Sequence, residues 1–405
     1  MTGEKSQDST PANEPTIERP WIPIVAQMHD HAMTVTGVPA RIYYWDAKTL
    51  FETYREVATY YGMDIINPFA DIYNFEIEAM GGKMVYSENA MPTIDFRDPL
   101  IKQPEDLHKL KTPDFYKDGR LPFALECLRL SIEQKDNEGN KQPIAYGSSF
   151  CGIFSMAVGM RGYPALIKDM RKRPEFAHEL FTFIIDQVLI PYLKVQKEYC
   201  GISSAHGADA WASVPNLSIP EMEEWVVPYN QRLMSKAREF GITTISGSGD
   251  YCEEDPAKFD KAVLFDCFDV QRELRGGNSL FLGMGSWHKY PLEPVCEYTA
   301  KCRAQGIDIS IRAGINARLL RDGPTEKIVD NVKRYMDTFA RDHKLIISLA
   351  NIAADAPADH VHAVVAAVHT YGRLPIADNL DEVKFELPKR ETFQEWKRKR
   401  AEGTD

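Results

Sequence analysis

The sequence has no apolar run long enough to cross a bilayer. Unbroken stretches such as Ala363–Val368 stop well short of the roughly 18 to 20 residues a transmembrane helix needs, so none is expected. The first twenty residues contain no apolar core of the secretory kind and read as a disordered leader on a cytoplasmic protein. Cysteine is scarce: seven residues, odd in number, scattered and without a CxxC, which excludes a disulfide framework and a structural zinc cluster. Basic charge is in deficit, 48 Lys and Arg against 59 Asp and Glu for a net −11. That balance works against nucleic acid and anionic membranes as partners. No GxxxxGK[ST] loop, no GxGxxG after a strand and no GxSxG elbow occurs, so nucleotide-dependent and serine-hydrolase chemistry start low.

What the chain does have, from Trp21 onward, is an alternation of short β-leaning runs with helical periodicity, the pattern of parallel strands joined by crossover helices. Eight strands are expected, at Ile22–Met28, Met63–Asn67, Pro143–Gly147, Ile202–Ala205, Ile242–Ser246, Ser279–Gly283, Ile307–Arg312 and Leu345–Leu349, with helices between them that include Ala47–Tyr61, Pro174–Cys200 and Ala358–Tyr371. Eight strands each followed by helix favour a single (β/α)8 TIM barrel over an open sheet. The expected layout is a leader over 1–20, a barrel over 21–375 and a charged extension over 376–405.

In a barrel, chemistry gathers after the strands' carboxyl ends. His29, Asp30 and His31 follow the first strand. Read as extended chain, His29 and His31 point the same way and suit acid–base work or metal ligation. This HxH resembles the amidohydrolase metal motif, but the histidine expected after strand 5 is replaced by Ser246-Gly247-Ser248-Gly249-Asp250, and no metal is predicted. Asp71 follows strand 2 as an acid–base or N-cap carboxylate. Ser148 sits in a small-residue turn able to receive an anion. His206, Asp209 and Trp211 follow strand 4 closely enough to share a pocket mouth. Trp287 and His288, Arg312, and Asn351 follow strands 6, 7 and 8, with Arg312 a fork for a carboxylate or phosphate. The expected catalytic groups are His29, His31, Asp71 and His206. Asp30, Ser148, Asp209, Trp211, Ser246, Asp250, Trp287, His288, Arg312 and Asn351 are expected to bind substrate.

Four stretches carry a family resemblance: ADIYNFEIEAMG (70–81), LSIPEMEEWVVPY (217–229), LRDGPTEKI (320–328) and DAPADHVHAVVAAVHTYG (355–372). With them the chain resembles the uroporphyrinogen decarboxylase superfamily, which includes the methylcobalamin:coenzyme M methyltransferases and related corrinoid-dependent demethylases. The resemblance implies a (β/α)8 barrel with a carboxyl-face cleft, often dimeric. The departures narrow it. The zinc-binding His-x-Cys after strand 5 and the later Cys after strand 8 of the thiol-methylating branch are replaced by Ser246-Gly247-Ser248 and Asn351, so bound zinc is not expected. The arginine-bearing first loop of the porphyrinogen branch is replaced by Met28-His29-Asp30-His31, which makes a polyanionic porphyrinogen a poor fit.

The resulting expectation is a corrinoid-linked methyltransferase or demethylase of a small methylated compound, methoxyaromatic or methylamine. A His/Asp pocket would protonate the leaving group, and the corrinoid (cobalamin) would ride on a partner protein. The alternatives are a metal-independent decarboxylase or lyase, and a non-catalytic accessory subunit of the same fold.

Overall fold

The computed structural model describes residues 20–66, 73–134, 148–283, 285–342 and 344–403. Its strands are β1 (Ile24–Ala26), β2 (Met84–Val85), β3 (Thr93–Ile94), β4 (Ser148–Cys151), β5 (Ser204–Ala208), β6 (Thr243–Ser246), β7 (Ser279–Leu282), β8 (Ser310–Gly314) and β9 (Leu345–Leu349). They form two parallel sheets, one in the order β1-β9-β8-β7 and one in the order β4-β5-β6, with β2 and β3 as a separate antiparallel ribbon. Helices intervene between successive parallel strands, as the α/β reading requires. The strands are short, and β1 and β9 are rich in Ile, Leu and Val, as buried parallel strands are.

Two helices match their expected bounds, Ala47–Tyr61 and Ala358–Tyr371. The first shows why. Asp46 caps its start by accepting from Thr49 N at 2.6 Å, and Gly62 ends it with φ 74°. Leu50, Tyr54, Val57, Ala58 and Tyr61 between them repeat at helical spacing and are buried.

Elsewhere the structure departs from the sequence reading. Of the described residues of the expected second strand, Ile65 alone pairs, in a single parallel bridge to Val25. The expected third strand, Pro143–Gly147, lies outside the described residues. Ladder pairing is already present at Ser148–Cys151, so the anticipated turn at Ser148-Ser149-Phe150 is strand. The continuous helix expected over Pro174–Cys200 contains a π turn at Ile184–Leu189. Pro191, which brings no N–H, follows directly, and the wider turn absorbs the missing bond. This 27-residue helix is long and apolar enough to cross a membrane, although no such segment was expected from unbroken runs. Some 56% of its most apolar window is buried against the rest of the protein. The charged extension ends in a helix, Phe393–Glu402, whose Phe393 and Trp396 rings pack on Tyr60 at 5.5 and 5.6 Å.

β6 and β7 share no ladder. A side chain bridges β7 and the segment that follows β6. Gln271, buried on helix Lys261–Leu274, accepts from Phe281 N at 2.8 Å. Its amide nitrogen lies 3.2 Å from each of Phe281 O, Gly249 O and Asp250 Oδ1.

Candidate active site

Register aligns Ser149, His206 and Ile245 across one sheet and Phe281, Arg312 and Ile346 across the other. All six are partly exposed, whereas Phe150, Gly207, Ser246, Leu282, Ala313 and Ile347, next along each strand, are buried. Strand side chains alternate between faces, so one face lies under helices and the other lines an accessible lumen. Arg275 lies near both rows. The Arg275 guanidinium carbon is 5.2 Å from the Phe281 ring centre in one sheet, and its charge acts on His206 in the other. Close approach explains the glycines above the row. A Cβ on Gly283 would stand 1.8 Å from Phe281 Cζ, and one on Gly314 2.5 Å from Gly283 Cα.

Arg312 lies 5.6 Å from the same ring centre and donates to Ser348 Oγ at 3.1 Å. Burial pushes the His206 imidazole down to about 3, and the Arg275 charge adds to the effect. Asp250 is buried beside them, 3.7 Å from an Arg275 nitrogen. Burial pushes its carboxyl up to about 7, and Arg275 opposes a further rise.

The first loop is not extended. His29–Thr36 is a helix, and two residues on a helix are about 200° apart, so His29 and His31 diverge instead of pointing the same way. His29 sits among aromatics, with Nδ1 3.4 Å from Tyr43 Oη and its ring 5.3 Å from Tyr54, whose phenol feels the Arg312 charge. His31 turns back into the packing, with Nε2 2.7 Å from Tyr61 Oη and Nδ1 3.3 Å from Ala353 O. Burial holds both imidazoles down to about 4. Asp30 is occupied structurally, accepting from Tyr44 Oη at 2.5 Å and from Met91 N at 3.0 Å beside the β2–β3 ribbon.

The other expected residues separate into groups. Asp209 accepts from Ser155 N at 2.7 Å, Phe154 N at 3.3 Å and Ser248 Oγ at 3.4 Å, capping helix Ile153–Arg161 from outside. Ser246 bonds Ser248 Oγ at 2.7 Å in that cluster. Trp211 stacks on Tyr163 at 5.2 Å. Trp287 is 2% exposed and stacks on Phe268 within the apolar core, so it is not a lumen wall. His288 is half-buried, among the charges of Lys289, Glu254, Arg334 and Lys327. Asn351 is exposed after β9. Asp71 and the Ser148 side chain lie outside what is described. Among the described residues, no three His, Cys, Asp or Glu side chains converge as a metal cage would require.

Sequence reasoning missed Phe281, Arg275, Gln271, Tyr43 and Tyr54. The alternation of Ser279, Phe281 and Gly283 on one face of β7 was a usable signal for Phe281. Arg275 carried none, because it follows the end of a helix and meets Phe281 only through tertiary contact.

The family model for uroporphyrinogen decarboxylase (URO-D) matches residues 12–265. Uroporphyrinogen decarboxylase of Syntrophotalea carbinolica is 30% identical over 187 residues, which are 45% of this chain and 50% of that protein. The Myxococcus xanthus enzyme is 29% identical over the same shares, so the chain spans about half the length of these two relatives. The Flavobacterium johnsoniae enzyme is 25% identical over 303 residues, 73% of this chain and 77% of that one. Among solved structures, a methyltransferase from Methanosarcina mazei shares the fold with a TM-score of 0.64 at 18% identity, covering 86% of this chain and 93% of the other.

Proposed function

The chain belongs to the uroporphyrinogen decarboxylase family, and from that premise we propose that it is a corrinoid-linked methyltransferase acting on a small methoxyaromatic or methylamine compound. The two parallel sheets are read as two arcs of one (β/α)8 barrel, with the lumen opening at the strands' carboxyl ends. The single bridge from Ile65 to Val25 and the Gln271 link between β6 and β7 support that closure.

One observation carries the reading. The lumen row combines an aromatic ring, a cation and an imidazole, and a carboxyl group that holds its proton near neutrality stands at the row's edge. Removing a methyl group from oxygen or nitrogen leaves a basic atom that needs a proton. A His/Asp pocket is expected to supply that proton, and of its members His29, His31 and His206 are held down to about 4, 4 and 3 and are neutral at pH 7. Asp250, pushed up to about 7, takes the acid role. As the carbon–oxygen or carbon–nitrogen bond breaks, the leaving atom keeps the electron pair and takes the Asp250 proton, which solvent restores. Phe281 offers its ring to the substrate, and His206 stays a neutral hydrogen-bonding group.

A corrinoid carried by a partner protein would supply the methyl-accepting nucleophile. The rim fits such a carrier. Ile42, Trp45, Val85 and Tyr86, 43%, 44%, 41% and 55% exposed, lie on segments that follow strand ends and present an apolar surface.

The test mixes the full chain with cob(I)alamin and a panel of methoxyarenes and methylamines and follows the methylcobalamin spectrum. Transfer is expected, with a rate that falls as pH rises through about 7. No transfer across the panel would overturn the reading. A second reading, decarboxylation of a small carboxylate with Asp250 returning the proton to carbon, draws on the relatives named uroporphyrinogen decarboxylase. Carbon dioxide release without any corrinoid would establish it.

A further inference from the structure

Arg275 is a cation in an unusual position. Its side chain is 9% exposed, its Nε is buried with no hydrogen-bond partner, and its ion pair with Asp250 spans 3.7 Å, beyond hydrogen-bonding reach. A guanidinium retained only to plug the seam between β6 and β7 would lock onto that carboxylate through short parallel bonds, because an uncompensated buried charge is costly. Instead the guanidinium lies against the Phe281 ring, on the lumen row, with Arg312 against the same ring and His206 within reach of its charge. We infer that Arg275, with Arg312 and Phe281, forms an anion-binding floor in the lumen, and that the substrate is an arenecarboxylate whose carboxylate is gripped by Arg275.

A carboxylate suits the floor better than a phosphate. Asp250 offsets at most one of the two guanidinium charges of Arg275 and Arg312, so one further negative charge suits the floor, and the planar fork matches a planar acceptor. The ring of an arenecarboxylate would then lie in the same aromatic layer as Phe281. The inference rests on the methyl-transfer reading only for the identity of the reacting group, which would be a ring methoxy substituent. Binding of the anion does not depend on that reading.

Calorimetric titration of the full chain with benzoate, 4-methoxybenzoate, benzamide, anisole and inorganic phosphate tests it. The two carboxylates are expected to bind at least tenfold tighter than benzamide and anisole. Arg275→Gln should erase that preference while leaving benzamide binding unchanged, and Arg275→Lys should restore part of it. If Arg275→Gln does not fold, the comparison of benzoate with benzamide on the unaltered protein and on Arg312→Gln still decides. Benzoate binding no tighter than benzamide, a folded Arg275→Gln protein that keeps the preference, or phosphate displacing benzoate at lower concentration would each overturn the inference. Tight benzoate binding with no methyl transfer would leave the floor in place and remove the reading above. Methyl transfer from anisole as fast as from 4-methoxybenzoate would do the reverse.

Discussion

Two aspartates follow neighbouring strands, Asp209 after β5 and Asp250 after β6. Both are buried, 1% and 3% exposed, and burial raises the carboxyl of each. Their surroundings make them different groups. Asp209 faces two backbone N–H groups at the start of a helix and a serine hydroxyl, and all of these hold its charged form in place. Asp250 has one amide nitrogen at 3.2 Å and a guanidinium at 3.7 Å. Burial alone therefore does not mark a catalytic carboxyl. What marks it is burial without enough donors to fix the anion, because only then does the proton remain near neutrality and available.

Substitution can break this contrast. The largest effect expected is from Asp209→Ala, which strips the acceptor from Ser155 N and Phe154 N and should cost about 3 kcal/mol in urea denaturation. A cost below about 1 kcal/mol would show that Asp209 is not the cap of that helix. Next comes the pH dependence of Asp250→Asn. A carboxyl raised from 3.8 to about 7 on folding binds its proton more tightly in the folded state. Its contribution is present below 3.8 and is lost as pH rises through about 7. Asp250→Asn should therefore gain stability relative to the unaltered protein between pH 5 and 8, by about 3 kcal/mol. A difference that is flat across that range would return Asp250 to the same class as Asp209. Smaller still, Gln271→Leu removes the amide beside Asp250 together with the bonds to Phe281. About 2 kcal/mol should be lost, and the alkaline fall of any turnover should move to higher pH, since Asp250 loses a donor that favours its anion. An unchanged pH profile in a folded Gln271→Leu protein would separate Asp250 from the chemistry.

The scaffold was largely legible. The strands at Leu345–Leu349 and Ser279–Leu282 and the helices at Ala47–Tyr61 and Ala358–Tyr371 fall where periodicity, caps and terminal glycines put them. The site was legible only in part, for two physical reasons. A spacing of two means one face in a strand and nearly opposite faces in a helix, so reading the segment at His29 as extended put His31 beside it when it belongs to the packing around Tyr61. The floor is also assembled by tertiary contact. Phe281 and Arg312 come from paired strands, whereas Arg275 comes from beyond the end of a helix. Trp287 misled for the opposite reason: it follows a strand end as a lumen residue would, but Phe268 and Tyr290 enclose it.

The link between β6 and β7 also bears on how freely this sequence can drift. Ladder bonds between strands are made by backbone, which almost every residue supplies alike, so strand positions tolerate exchange provided size and polarity suit the face. At Gln271 the same task falls to one side chain that must accept from Phe281 N and donate toward Gly249 O beyond the end of β6. Glutamate cannot donate, asparagine is a methylene shorter, and leucine can do neither. In a library of all single replacements, position 271 should stand out as a narrow minimum among more permissive neighbours, a point where joining two sheets has been entrusted to the genetic code for one amide.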